Sequence, residues 1–194
     1  MKENFNQLMK EEIKSLKTSP TLLLHVCCAP CSSSVLEKLN AFNITLYYYN
    51  PNTYPEQEYM LRAEQFNKLT NLPVIKEKYD HAEFLSNIKG LESEMEGGKR
   101  CEECIRLRLE QSFKYAREHS FDYVTTTLSV SPHKNAEYIN NIGRSLSTKY
   151  DVKFLVADFK KENGFLNSIN LSKQLDLYRQ DYCGCEFSIS NKNK

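Results

Sequence analysis

The run Leu22-Leu23-Leu24-His25-Val26 reads as a buried strand, and Ser32 to Leu39 shortly after it reads as a helix. A strand, a tight turn and a helix early in an α/β chain form the place where nucleotide-binding proteins carry a glycine-rich phosphate loop. Here the turn is Cys27-Cys28-Ala29-Pro30-Cys31. A chain with three thiols at that position has given the turn another task.

The rest of the chain repeats the alternation. Phe5, Leu8, Met9, Ile13 and Leu16 have the spacing of an amphipathic leading helix over about 4–17. Strands are expected at Thr21 to Val26, Ile44 to Tyr49, Leu72 to Glu77, Phe121 to Ser129 and Val152 to Ala157. Helices are expected at Pro55 to Asn71, Ala82 to Leu91, Glu103 to His119 and Asn135 to Thr148. The polar tail, about 163–194, reads as irregular with one helix near Leu171 to Tyr178. Strands alternating with helices imply a Rossmann-like parallel sheet flanked by helices, and nothing resembling a linker divides residues 1–194. Loops after the carboxyl ends of such strands share one edge, where ligands bind. The cysteine turn, the Tyr49-Asn50-Pro51-Asn52-Thr53-Tyr54 loop and Ser129 to Asn135 all fall there.

Composition narrows the classes. Lys plus Arg is 26 against 25 Asp plus Glu, so nucleic acid can be met only through a local patch. No stretch of about 18 apolar residues occurs, so no membrane span is expected. Met1 to Lys17 carries acidic residues and lacks the apolar core of a secretory signal, which points to the cytoplasm. In a reducing compartment clustered thiols indicate metal or redox chemistry rather than a disulfide framework. The seven cysteines fall into three such groups: Cys27, Cys28 and Cys31; Cys101 and Cys104; Cys183 and Cys185.

Cys101 and Cys104 lie at an expected helix N-terminus, where the dipole favours thiolate. With Cys27 and Cys28 they make four thiolates, a set that suits either a structural zinc or an iron–sulfur cluster. The vicinal pair, the position on the functional edge and the surplus of thiols favour the cluster. In Cys183-Gly184-Cys185 a disulfide would close a short, strained and easily reduced ring, as a reversible electron store requires.

Five stretches, LLLHVCCAPCSSSVLEKL, YYYNPNTYPEQEYMLR, CEECIRLRL, TTTLSVSPHKN and LYRQDYCGC, resemble the QueH-type epoxyqueuosine reductases in sequence and order, from about residue 21 to 186. The resemblance implies a sheet related to the adenine-nucleotide alpha-hydrolases, with the cysteine turn in place of the phosphate loop, built as one iron–sulfur reductase domain. It implies reduction of epoxyqueuosine to queuosine at the tRNA wobble position, the last step in making that base. It also implies a [4Fe–4S] cluster on Cys27, Cys28, Cys101 and Cys104, a redox-active Cys183–Cys185 pair, and a second iron or other metal ion near Cys31. The partners implied are a tRNA anticodon loop carrying epoxyqueuosine and an external low-potential electron donor.

Converting an epoxide to an alkene takes two electrons and two protons and releases water. Asp181, Tyr182 and His133, beside a motif cysteine or in an edge loop, are the candidate proton donors. Of the tyrosines, Tyr54 is the candidate for stacking on a base, whereas alternation assigns some of Tyr47, Tyr48 and Tyr49 to the core. Arg62, Lys99, Arg100, Arg106, Arg108, Lys134 and Arg179 are the basic residues near the motifs, and His25 reads as a buried, hydrogen-bonded histidine. Two other readings remain: a zinc-binding RNA- or protein-interaction module without redox activity, and an ATP-using enzyme. The latter is disfavoured because Pro30 leaves the turn few amides to face a phosphate.

Overall fold

Leu22, Leu23 and Leu24 are fully buried in β1 (Thr21–His25), the middle strand of the sheet. Around it lie β2 (Asn43–Tyr48), β3 (Val74–Lys76), β4 (Tyr123–Thr126) and β5 (Lys153–Phe154), all parallel, in the order β3-β2-β1-β4-β5. The structure is a computed structural model that describes residues 3–190. Along β1 the side chains alternate between two cores, as the period of two demands. Leu22 and Leu24 join Leu46, Tyr48, Met9, Phe66 and Phe159, while Leu23 joins Tyr47, Val124, Leu109, Phe113 and Ile139. Each fully buried leucine contributes about 1.5–3 kcal/mol relative to exposure.

One layer of helices comprises α1 (Phe5–Ser15), α2 (Ala29–Leu36), α3 (Glu56–Glu64), α4 (Phe66–Leu69) and α8 (Gly164–Gln174), which send residues into the first core. The other comprises α6 (Lys99–Glu118) and α7 (Ala136–Tyr150), which fill the second. Between them in sequence lies α5 (His81–Asn87), and α9 (Glu186–Ser190) follows the C-G-C triplet. Asn4 caps α1 through its side chain, and Asp80 and Asn135 do the same for α5 and α7.

Several elements differ from expectation: the helix expected over Pro55 to Asn71 is divided into α3 and α4, and the run Phe121 to Ser129 forms β4 followed by a 3-10 turn at Thr127–Val130. Over its described residues the tail is more regular than expected: its helix, α8, begins at Gly164 rather than near Leu171, and a second, α9, follows Cys185. The serines that make this segment look polar are buried: Ser168 and Ser172 lie on α8, which packs against α2 with its own buried Ser32, Ser33 and Ser34. Small hydroxyls on both helices bond back to their own backbone, Ser168 to Phe165 and Ser32 to Cys28, which lets the two helices approach closely, although Ser34 Oγ of α2 is buried without a hydrogen-bond partner. Helix α6 begins at Lys99 rather than Glu103, which places Cys101 in its first turn and Cys104 in its second. Strand β5 is shorter than expected because Asn140 Oδ1 takes the Ala157 N–H at 2.9 Å in place of a strand partner. Among the described residues no helix is long and apolar enough to cross a membrane.

Candidate functional site

The strand order reverses at β1, so the carboxyl ends of β1 and β4 diverge into loops running in opposite directions, the crevice where ligands bind in open parallel sheets. The cysteine turn leaves β1 here and the turn Thr127–Val130 leaves β4. Cys27 N–H donates to Thr127 Oγ1 at 3.3 Å, and Cys27 Sγ lies 3.5 Å from the same hydroxyl. Pro30 falls in the first turn of α2, where its missing N–H costs nothing, and this brings Cys31 round to the other two thiols.

Among the described residues, Cys27, Cys28 and Cys31 are the group whose sulfurs all lie within 4.8 Å of one another, and Cys27 Sγ is 3.8 Å from Cys28 Sγ. Tetrahedral bonds of about 2.3 Å place two thiolates about 3.8 Å apart, so the triad has the spacing of ligands on one ion. Cys101 and Cys104 are not in this group. They line a second, smaller cavity of about 90 Å3 together with Cys183 and Cys185. The first cavity, about 610 Å3, is lined by Cys27 and Cys31 and by Arg179 to Cys183. Cys183, Arg108, His133 and Lys134 line both cavities and join the three cysteine groups into one region.

Two cations organise its charge. Lys134 Nζ donates to Cys183 Sγ at 3.2 Å. Arg108 is buried, donates from Nε to the Cys104 carbonyl at 3.1 Å, and reaches Asn50 Oδ1 at 3.4 Å. Burial works against ionisation of Cys183, but Lys134 and Arg108 outweigh it and hold this thiol below its ordinary range. Cys27 is held low by hydrogen bonds from the Cys28 and Cys31 thiols, which are raised in turn. Burial pushes Cys104 up to about 12.

His25 is buried, with Nδ1 2.8 Å from Thr126 Oγ1 and Nε2 3.2 Å from the Tyr49 carbonyl, and desolvation lowers it to about 3, so it stays neutral. Tyr47, Tyr48 and Tyr49 are core residues whose hydroxyls bond Glu77, the Tyr59 carbonyl and Glu83. Tyr54 is 45% exposed. Asp181, Tyr182 and His133 line the larger cavity, but the Tyr182 hydroxyl donates to the Tyr54 carbonyl at 2.8 Å. Of the basic residues, Arg62, Arg100 and Arg108 are buried and unavailable to a polynucleotide. Arg179 is spent on the Ser168 carbonyl and the Phe165 ring. Lys134 is a thiol partner, a role that its place in the loop after the fourth strand could have suggested.

A sequence profile described as epoxyqueuosine reductase QueH matches residues 22–191. The chain is 39% identical to the epoxyqueuosine reductase QueH of Streptococcus pyogenes serotype M1, over 96% of this chain and 78% of that one. It is 40% identical to that of Staphylococcus epidermidis, over 96% and 85%. To that of Thermotoga maritima it is 36% identical, over 90% and 93%. With the thiol turn, the C-G-C triplet and this similarity along nearly its whole length, the chain belongs to the epoxyqueuosine reductase QueH family.

Proposed function

We propose that this chain reduces epoxyqueuosine to queuosine in tRNA, as an oxidoreductase of queuosine biosynthesis. The observation that carries the reading is the cavity of about 610 Å3 lined by thiols from two separate segments, Cys27 and Cys31 of the cysteine turn and Cys183 of the C-G-C triplet. That volume suits a modified nucleobase drawn from a single-stranded loop. The partner is then a tRNA anticodon loop, in the cytoplasm, with electrons supplied by a low-potential donor. The single domain, with its cysteine turn where related adenine-nucleotide hydrolases carry a phosphate loop, fits this assignment.

The donor set suits thiolate-held metal: three sulfurs lie at single-ion spacing, and two further cysteines line the adjoining cavity. In this reading Cys27, Cys28, Cys101 and Cys104 would hold a [4Fe–4S] cluster, and Cys31 would be left for a second iron or other metal ion. When bound, the cluster supplies electrons one at a time and the second ion supplies an electrophilic centre. The chain's own groups provide the rest. Opening the epoxide to the alkene consumes two electrons and two protons. Oxidation of the Cys183–Cys185 dithiol to a disulfide releases the same number of each. Lys134 donates to the Cys183 sulfur from 3.2 Å, which favours loss of its proton, and lines the cavity with Asp181, Tyr182 and His133.

The test is anaerobic purification, iron and sulfide analysis, and incubation with epoxyqueuosine tRNA and a low-potential reductant. The expected result is about four iron and four sulfide per cluster, with nucleosides that have lost one oxygen by mass spectrometry. Bound zinc without iron, and an unchanged epoxide, would favour the non-redox zinc module.

A further inference from the structure

Arg62 closes the stretch YYYNPNTYPEQEYMLR and lies at the end of α3, where a long basic side chain would ordinarily extend into solvent. It is only 2% exposed. Nε pairs with Glu58 Oε1 at 2.7 Å, and the same carboxylate accepts the Tyr178 hydroxyl at 3.0 Å. Nη1 donates to the Cys183 carbonyl at 3.2 Å, and the guanidinium lies 5.0 Å from the centre of the Tyr182 ring. Nη2 is buried without a hydrogen-bond partner. A buried guanidinium, partly unsatisfied and aimed at the backbone of the C-G-C triplet, is costly unless that contact matters.

Every carbonyl of the triplet is held. The Cys183 carbonyl takes Arg62, the Gly184 carbonyl takes the Tyr54 N–H at 2.8 Å, and the Cys185 carbonyl takes the Ser188 N–H at 3.1 Å and its hydroxyl at 2.9 Å. Gly184 has φ +134°, and a Cβ there would lie 3.1 Å from Arg62 Nη1 and 3.2 Å from Asn52 Nδ2. Glycine is therefore needed both for the backbone angle and for the approach of the guanidinium. The two thiols are free and differently placed, Cys183 against Lys134 and Cys185 among Phe84, Ile88 and Cys104. Joining them across one residue requires the peptide groups between them to turn, and the Arg62 contact resists that turn.

We infer that Arg62 is the positioning residue of the C-G-C pair, holding its backbone in the dithiol arrangement and weighting the Cys183–Cys185 equilibrium against the disulfide. The inference rests on the redox-pair reading above, and its test separates the two. The full-length, metal-loaded protein is equilibrated anaerobically in glutathione buffers of graded composition. Free thiols are then alkylated, and the peptide that begins at Gln180 is weighed. Closing the disulfide converts one glutathione disulfide to two glutathione molecules, which take up both protons and both electrons.

Arg62→Met is expected to shift the equilibrium about tenfold toward the disulfide, the loss of one charge-assisted hydrogen bond. Arg62→Lys shifts it less, because the ammonium still donates to the carbonyl, and Gly184→Ala shifts it in the same direction as Arg62→Met. A merely structural arginine would lower the unfolding midpoint and leave the equilibrium unmoved, and that result overturns the inference. If Arg62→Met does not fold, Glu58→Gln, which loosens the guanidinium without removing it, must give a shift of the same sign; no shift overturns the proposal. A native pair that never closes at any glutathione ratio overturns the redox-pair reading itself, and this inference with it.

Discussion

Strands β1 and β4 lie side by side, and their two ends are finished in opposite ways. At the amino end Thr21 and Asp122 satisfy one another. The Thr21 N–H and hydroxyl each donate to Asp122 Oδ2 at 2.8 Å, and the Asp122 N–H returns to Thr21 Oγ1 at 3.0 Å. At the carboxyl end the same strands run into three crowded thiols, the buried Arg108, the partly satisfied Arg62, and the Gln180 Oε1 and Asn52 Oδ1 atoms, both buried without partners. Each buried unpaired group costs about 1–3 kcal/mol. Such costs concentrate where a chain does chemistry, and here one pair of strands shows both a closed structural end and a strained reactive one.

The largest expected effect tests that asymmetry directly. Cys27→Ala should abolish bound metal and turnover, whereas Asp122→Asn at the opposite end should keep both; metal analysis and nucleoside mass spectrometry compare them. Next comes Lys134→Met, which should retain metal and tRNA binding yet lower the turnover number roughly 100-fold, with partial recovery in Lys134→Arg. Equal turnover in the methionine variant would remove Lys134 from the reaction.

A structural effect follows. A Cβ on Gly143 of α7 would lie 2.3 Å from the Phe154 ring, so Gly143→Ala should cost about 1–3 kcal/mol by urea unfolding without touching the metal. The smallest effect belongs to Asp122→Asn, about 1 kcal/mol at neutral pH. Hydrogen bonds from the Thr21 backbone and hydroxyl hold the Asp122 carboxyl below its usual range. Its contribution is therefore full above the unfolded value of about 3.9 and is lost as pH falls through the lowered one. The gap between native and variant proteins should be constant near pH 7 and close on acidification.

What could be read in the sequence was what contiguous residues determine. Leu22 to Cys31 show strand, turn and thiol content in ten consecutive positions; alternation assigns some of Tyr47 to Tyr49 to the core, and all three are buried because helices cover both faces of the sheet. What could not be read depends on contacts between distant segments. Nothing local in Ser168 or Ser172 says that both face the serines of α2, so that tail looked irregular. A basic residue in a helix signals a solvated face, yet Arg62 is buried against the distant Cys183 carbonyl and Arg100 against the Glu92 carbonyl just before its helix. Arg108 is buried against the Cys104 carbonyl one turn back and Asn50 from the loop after β2. Spacing leads to the set Cys27, Cys28, Cys101 and Cys104, with Cys31 assigned to a second metal, but it cannot show which sulfurs lie close together. The bend at Pro30 places Cys31 with the first pair, and Cys101 and Cys104 line the neighbouring cavity.

The outermost strands are very short: β3 has three residues and β5 has two. A foreign strand adding to either side would find only a residue or two of unpaired backbone, too little to hold a second chain. Association through the sheet is thereby discouraged whatever the state of the thiols. Oligomers that form in air should accordingly dissolve on treatment with a reducing agent, because intermolecular sulfur bonds, and not strand addition, would be what joins them.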